Sequence, residues 1–339
     1  MKYEHVVNVV YHQPWAILPS VYATMLDLLA FRAGGGVLTE EEIQARIGAA
    51  QHPQQNRSGA VAVLPLRGVL SQRMNMMSAM SGGTSTELFG KMLREAVADA
   101  AISGIVLDID SPGGSVFGVQ ELWQTVMNAR GDKPIVAMAN SMAASAAYWI
   151  ATAADEIVMT PGGQVGSIGV LTAHSDLSAQ LEMLGEKITI ISAGKKKVDA
   201  NPIEPLSESA RVDLQKSVDT YYGTFLSAVA KGRGVTPSAV RNGFGEGGML
   251  GAAKALDEKM VDRIGTLDVA ISRAGGRSGF RAIESLPETN AEDGREVISE
   301  SLGPGDGGPV GEPILTPTED GDIDLRERRL ALQCLVAGD

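Results

Sequence analysis

The sequence predicts an α/β protein built from repeated strand-helix units on a largely parallel sheet. Three observations carry that expectation. From Gly59 onward, short apolar segments alternate with longer stretches of helical spacing, the pattern of βαβ units. The apolar segments AVAVLPL (60–66), GIVLDID (104–110) and PIVAMAN (134–140) are continuous rather than alternating, as in strands covered on both faces. Composition changes at both ends, which divides the chain into an N-terminal extension (1–58), a core domain (59–272) and an acidic, Gly/Pro-rich tail (273–339).

Taken in order, WAILPSVYATMLDLLAFR (15–32) carries Met25, Leu28 and Leu29 at helical spacing, which predicts one helix ending at the glycines 34–36. GAAQHPQQNRS (48–58) is polar and turn-rich and reads as a linker. Strand 60–66 is followed by a helix near 85–101, strand 104–110, a helix near 115–129, strand 134–140 and an alanine-rich helix over 143–154. EIVMT (156–160) and KITIIS (187–192) read as further short strands, and Ser207 to Lys231 as a long helix closed by Gly232. Residues 277–339 hold 14 Asp plus Glu against 6 Arg and no Lys, so most of the net negative charge lies there. That predicts a disordered tail, with only 322–335 able to form a short amphipathic helix.

A 339-residue chain with 44% hydrophobic residues is long enough to bury a sizeable core. Its formal charge of -12 speaks against a nucleic-acid binder, which needs clustered cations to displace counterions from phosphate. The single cysteine, Cys334, makes neither an intrachain disulfide nor a Cys-based zinc site. No apolar run reaches the roughly 20 residues of a membrane span, and the first residues lack a signal-peptide pattern. The expectation is a soluble cytoplasmic protein with no membrane or nucleic-acid partner and no cofactor.

Three segments carry chemistry. Asp110-Ser-Pro-Gly-Gly-Ser115 stands at a strand-to-helix junction, where glycines admit a close backbone approach and free N–H groups face developing negative charge, as in an oxyanion hole. Asn140-Ser-Met-Ala-Ala-Ser-Ala-Ala-Tyr148 places Ser145 among alanines at a helix start, with the Ala146 amide as a natural oxyanion donor. The packing alternative is that small residues merely let this helix lie close under the sheet. Gly166-Ser-Ile-Gly169 and Ala193-Gly-Lys-Lys-Lys-Val-Asp199 come third. A serine needs a base: His174 is the one histidine inside the βαβ region, and a lysine made neutral by burial is the other route. Spacing alone does not choose among Lys195, Lys196 and Lys197.

These segments, in this order over roughly 59–271, resemble the Ser-Lys peptidase family that contains signal peptide peptidase A and the capsid-assembly proteases of tailed phages. The resemblance implies a crotonase/Clp-protease-like core. It makes Ser145, the second serine of Ser-Met-Ala-Ala-Ser, the nucleophile. It makes Lys197, five residues before Pro202 in Gly-Lys-Lys-Lys, the base. It also makes Ser167 the hydroxyl that positions the lysine, and Gly113 and Gly114 oxyanion donors beside Ala146. Membrane-bound relatives begin with an anchor; the Pro-Trp-Ala-Ile-Leu-Pro-Ser segment is instead similar to the phage and prophage branch.

What the resemblance implies is a serine endopeptidase that matures phage heads by cutting scaffold or portal proteins, working as a homo-oligomer. The alternative is a cytoplasmic enzyme that degrades released peptides. A crotonase-type acyl-CoA enzyme and a non-catalytic scaffold are the readings from other classes; neither requires Ser145, Ser167 and Lys197 together.

Overall fold

The computed structural model describes residues 10–11, 13–33, 56–73 and 83–276. The acidic tail from residue 277 and most of the 48–58 linker lie outside them. The main sheet is built on β3 (Val61–Arg67), β6 (Gly104–Ser111) and β8 (Ile135–Ala144), which pair in parallel in the order β3-β6-β8. β2 (Asn56–Ser58) adds antiparallel to β3 at one edge. At the other edge, β8 pairs β9 (Glu156–Met159) through Val136–Ala139 and β10 (Gln164–Gly166) through Met142–Ala144. β11 (Met249–Gly251) and β12 (Arg263–Ile264) extend those two branches.

The continuous apolar runs are explained by two covered faces. Ala62, Leu64, Leu66, Ile105, Leu107, Ile109, Ile135, Ala137 and Ala139 join one core group, whereas Val61, Val63, Val106, Val136 and Met138 join another. Successive residues thus point to opposite faces, and both faces are dry. The first face is covered by α2 (Thr86–Ala98) and α3 (Val119–Ala129), which present Phe89, Leu93 and Ala96, and Leu122, Trp123 and Val126, at helical spacing. α2 starts where Ser85 Oγ accepts from the Leu88 amide at 3.3 Å. The second face is covered by α9 (Leu267–Ala274). Gly104 lets this helix lie close: a Cβ there would stand 2.0 Å from the Ala274 carbonyl oxygen.

Pro65 sits within β3, which is unusual because proline removes a ladder donor. β2 reaches only as far as Val63, so beyond it β3 pairs with no described strand but β6.

Two predicted elements differ in kind, and the long helix runs Glu208–Arg233, past Gly232, closed by Gly234 at φ 67°. Residues 15–32 are not one helix: Trp15–Ile17 form strand β1, and the helix α1 runs Pro19–Ala33. Pro19 is tolerated at a first helical turn and pushes Leu18 toward extended backbone, which separates the two. KITIIS (187–192) forms no strand; it is exposed throughout, with Ile191 95% accessible. No neighbouring strand is offered to it among the described residues, and β-branched residues without a ladder partner do not make a strand.

A second, four-stranded sheet holds the segments near the candidate site. Its order is β1-β7-β4-β5, with β4 Leu70–Ser71, β5 Thr84–Ser85 and β7 Gly113–Ser115.

Candidate active site

Ser145 stands between the end of β8 and α4 (Ala146–Ala151), fully buried, with φ 54° and ψ -119°. A non-glycine residue held there is strained, and the strain aims a serine at the sharp strand-to-helix turn that nucleophile elbows use. The predicted helix 143–154 is accordingly shorter, because β8 continues through Ala144. The Ser145 amide donates to the Gly166 carbonyl at 2.7 Å, and its hydroxyl makes a long 3.4 Å contact with the Gly169 carbonyl.

The platform beneath the serine is fully buried and closely packed. Tyr148 is fully buried, donates to the Met260 carbonyl at 2.9 Å, and has its phenol pushed well above its usual range by burial. Trp149 stacks on Phe225 of α6 (Glu208–Arg233), with ring centroids 4.6 Å apart. Arg130 closes the far end, donating to the carbonyls of Ala153 at 2.7 Å and Thr152 at 3.1 Å, and to that of Ala154. These carbonyls belong to the turn that follows α4.

Ser167 follows β10 and is 6% exposed, with φ 53° and its amide on the Gly248 carbonyl at 2.8 Å. Because Ala144 pairs with Gly166, Ser145 and Ser167 emerge side by side.

The glycine turn is also beside Ser145. Gly113 has φ 96°, and a Cβ on it would lie 3.0 Å from Ser145 Cβ and 2.3 Å from the Ala16 carbonyl oxygen. Only glycine fits. Its N–H donates to Ser111 Oγ at 3.2 Å, and Ser111 Oγ donates to the Gly68 carbonyl at 2.6 Å. Gly114 pairs with Ala16 of β1, and a Cβ on it would stand 2.0 Å from the Leu70 carbonyl oxygen. Ala146 is the first residue of α4, so its amide has no intrahelical partner. Burial raises the Asp110 carboxyl above its ordinary range, and Arg67 opposes that rise.

The lysines are placed differently. Lys197 lies in a turn-rich exposed stretch, its amide on the Gly194 carbonyl at 3.0 Å, and no hydrogen bond joins it to Ser145 or Ser167 among the described residues. Lys196 is ion-paired with Asp213, and that hydrogen bond raises its pKa. An ammonium held in this way is a poor general base, which leaves Lys195 and Lys197 of the run. The His174 ring has its Nε2 buried without a partner, and no hydrogen bond links it to Ser145 among the described residues.

Sequence reasoning missed β1 beside the glycine turn, Ser111 beneath it and Arg130 under α4. The pair Pro14 and Pro19 was the available signal for β1, since prolines bracket an extended segment more naturally than the interior of a helix. Nothing local marks Arg130, whose partners lie more than 20 residues away.

No described helix is long and apolar enough to cross a membrane, and no described group of three or more His, Cys, Asp or Glu is arranged to hold a metal.

Residues 64–165 match the Clp protease family and residues 128–280 match peptidase family S49. The chain is 31% identical to capsid assembly protease C of Escherichia phage lambda, over 77% of this chain and 62% of that protein. It is 32% identical to the head-tail preconnector protein GP5 of Enterobacteria phage P21, over 68% of this chain and 48% of that protein. It is 27% identical to the chloroplastic serine protease SPPA of Arabidopsis thaliana, over 70% of this chain and 37% of that protein. The chain therefore spans less than two thirds of the length of each of these relatives. The mixed α/β architecture with its parallel sheet is that of the Clp-protease-like fold, and Ser145, Ser167 and Lys197 all lie within the stretch that matches peptidase family S49.

Proposed function

We propose that this chain is a serine endopeptidase in which Ser145 is the nucleophile and Lys197 the general base. The observation that carries the proposal is the strained, buried Ser145 at a strand-to-helix turn, with the alanine-flanked N-terminus of α4 immediately after it. Lys197 in its neutral form takes the Ser145 proton, and Oγ attacks a peptide carbonyl. The Ala146 amide, with a donor from the Gly113–Gly114 turn, bears the oxyanion. The proton then passes to the leaving amine, and water hydrolyses the acyl-enzyme. Ser167, level with Ser145 on the neighbouring strand, is the hydroxyl that positions the lysine.

Lys197 is exposed in the single chain, beside a segment that also exposes Ile188, Ile190 and Ile191. Assembly of several copies would cover those side chains and desolvate the lysine, which supports a homo-oligomer.

The biological reading is a phage or prophage head-maturation protease acting in the host cytoplasm, within the prohead, on scaffold or portal proteins. Its support is the likeness to the two phage proteins. The likeness to SPPA favours a second reading, a housekeeping peptidase that degrades released peptides. The deciding experiment incubates the wild-type and Ser145→Ala chains with the portal and scaffold products of neighbouring genes and maps cuts by mass spectrometry. Discrete cuts that vanish with Ser145→Ala support maturation; cuts only in short peptides support the second reading. Cuts that survive Ser145→Ala remove the assignment altogether.

A further inference from the structure

Strand β1 lies in a groove with a hydrogen-bonded wall on each side. Along one edge Trp15 exchanges both backbone bonds with Leu171, its N–H donating at 2.8 Å and its carbonyl accepting at 2.9 Å. Along the other edge β1 runs antiparallel to β7, with Ala16 opposite Gly114. Leu18 N–H donates to the Pro112 carbonyl at 2.9 Å, and Val116 N–H to the Pro14 carbonyl at 3.3 Å. An extended segment bonded on both edges is the binding mode of a peptide captured as an added strand.

This segment passes directly over the serine. The Ala16 carbonyl oxygen lies 2.3 Å, and Ser145 Cβ 3.0 Å, from the one point where a Gly113 Cβ would stand. The Ala16 side chain turns into the main core, whereas Trp15 and Ile17 turn outward into a separate group with Val10, Tyr22, Leu29 and Leu171. That group is anchored by Trp15 Nε1 and Tyr22 OH, which both donate to the Val10 carbonyl, at 3.1 and 2.8 Å.

The strap also settles which way the glycine turn faces. In a trans peptide the C=O and N–H point in opposite directions. The Pro112 carbonyl points at the strap and accepts from Leu18, so the Gly113 N–H points away and is taken up by Ser111 Oγ. A Gly113 N–H aimed at an oxyanion and a Leu18-to-Pro112 bond exclude one another.

We propose that residues 14–18 are an intramolecular pseudosubstrate. They fill the groove that receives an extended peptide and hold the Pro112–Gly113 peptide in the orientation that cannot stabilise an oxyanion. Catalysis then requires the strap to withdraw and that peptide to rotate. The strap itself stays uncut because the donor its own carbonyl would need is turned away. This rests on Ser145 being the nucleophile, and the test separates the two claims.

The full-length chain is compared with Ala16→Arg, which places a long cation where the strap has no exposure, and with Trp15→Ala/Ile17→Ala, which removes its apolar anchors while leaving the groove intact. The double variant keeps the test open should Ala16→Arg fail to fold, folding being checked by circular dichroism. In a Ser145→Ala background, a fluorescein-labelled VYHQPWAILPS peptide is titrated by anisotropy. Binding at least about tenfold tighter to the strap variants than to the unaltered strap is expected, because the groove is then free for a larger fraction of the time. Equal binding overturns the pseudosubstrate. With Ser145 present, a fluorophosphonate should label the strap variants at least about tenfold faster, since access is governed by the same free fraction. Tighter peptide binding with no labelling of Ser145 in any form would retain the strap and remove the nucleophile; fast labelling of the wild type with equal peptide binding would do the reverse.

Discussion

Ser145 and Ser167 leave adjacent parallel strands one residue beyond the same register pair, Ala144 and Gly166, with φ of 54° and 53°. The carbonyl of Gly166 accepts the Ser145 amide, so the backbone of Ser145 is held by the strand that delivers Ser167. A one-residue slip of β10 along β8 would separate the hydroxyls and turn one of them to the opposite face.

Replacing Ser145 should separate activity from stability. Ser145→Ala keeps the positive φ and should abolish hydrolysis with little change in melting. Ser145→Gly should also be inactive yet more stable by about 1 kcal/mol, since relief of the strained backbone exceeds the entropy cost of glycine. Thermal unfolding of both variants beside a peptide-hydrolysis assay checks this; a Ser145→Gly protein that melts below Ser145→Ala would contradict the strain argument.

At Gly113 the effect should be the reverse. Gly113→Ala pushes a methyl against the Ala16 and Ala144 carbonyls and against Ser145, at a φ of 96°. A loss of at least about 2 kcal/mol in urea unfolding is expected, together with loss of hydrolysis.

Two glycines of α6 offer an internal control. A Cβ at Gly232 would stand 2.1 Å from the Thr152 carbonyl oxygen, whereas one at Gly223 meets nothing within 4 Å. Gly232→Ala should therefore destabilise by about 2 kcal/mol or more through forced separation of α6 from the turn after α4. Gly223→Ala should stabilise by about 0.5–1 kcal/mol through helix propensity. Denaturant midpoints report both, and matching shifts would show that the close approach at Thr152 carries no weight.

The lysine run can be resolved by substitution and by mixing. Lys197→Ala should remove hydrolysis and Lys196→Ala should retain it, because Lys196 is engaged by Asp213. Ile191→Lys should lower the assembly mass seen by light scattering, since it places charge where an apolar side chain is 95% exposed. Mixing inactive Ser145→Ala and Lys197→Ala chains then asks whether a dyad forms between copies. Recovered hydrolysis means that it does, and continued inactivity confines the pair to one chain.

The sheet was readable from sequence because β3, β6 and β8 each open on a continuous apolar stretch, Val61–Leu66, Ile105–Leu107 and Ile135–Ala139, a property that depends on the residues themselves. The surrounding helices were readable for the same reason, from spacings such as Phe89, Leu93 and Ala96. Trp15–Ile17 and KITIIS failed in opposite directions, since strand formation is decided by a partner that is distant in sequence. Trp15–Ile17 finds Gly113–Ser115 and Leu171, while Ile188–Ile191 find none among the described residues. Within the site, Ser145 and the glycine turn were legible as motifs. The direction of the Pro112–Gly113 peptide was not, because one composition admits both orientations and a contact with Leu18 selects between them.

The antiparallel run of β1 carries one more consequence. A foreign chain that displaces it inherits its polarity, so the half upstream of the cut is clasped between Ser115 and Leu171, where Trp15 now lies. The downstream half departs past Pro112 with far less to hold it. Selectivity should then be written in the residues preceding the scissile bond, with a small side chain favoured where Ala16 now faces the core, and the amine fragment should be the first product to leave.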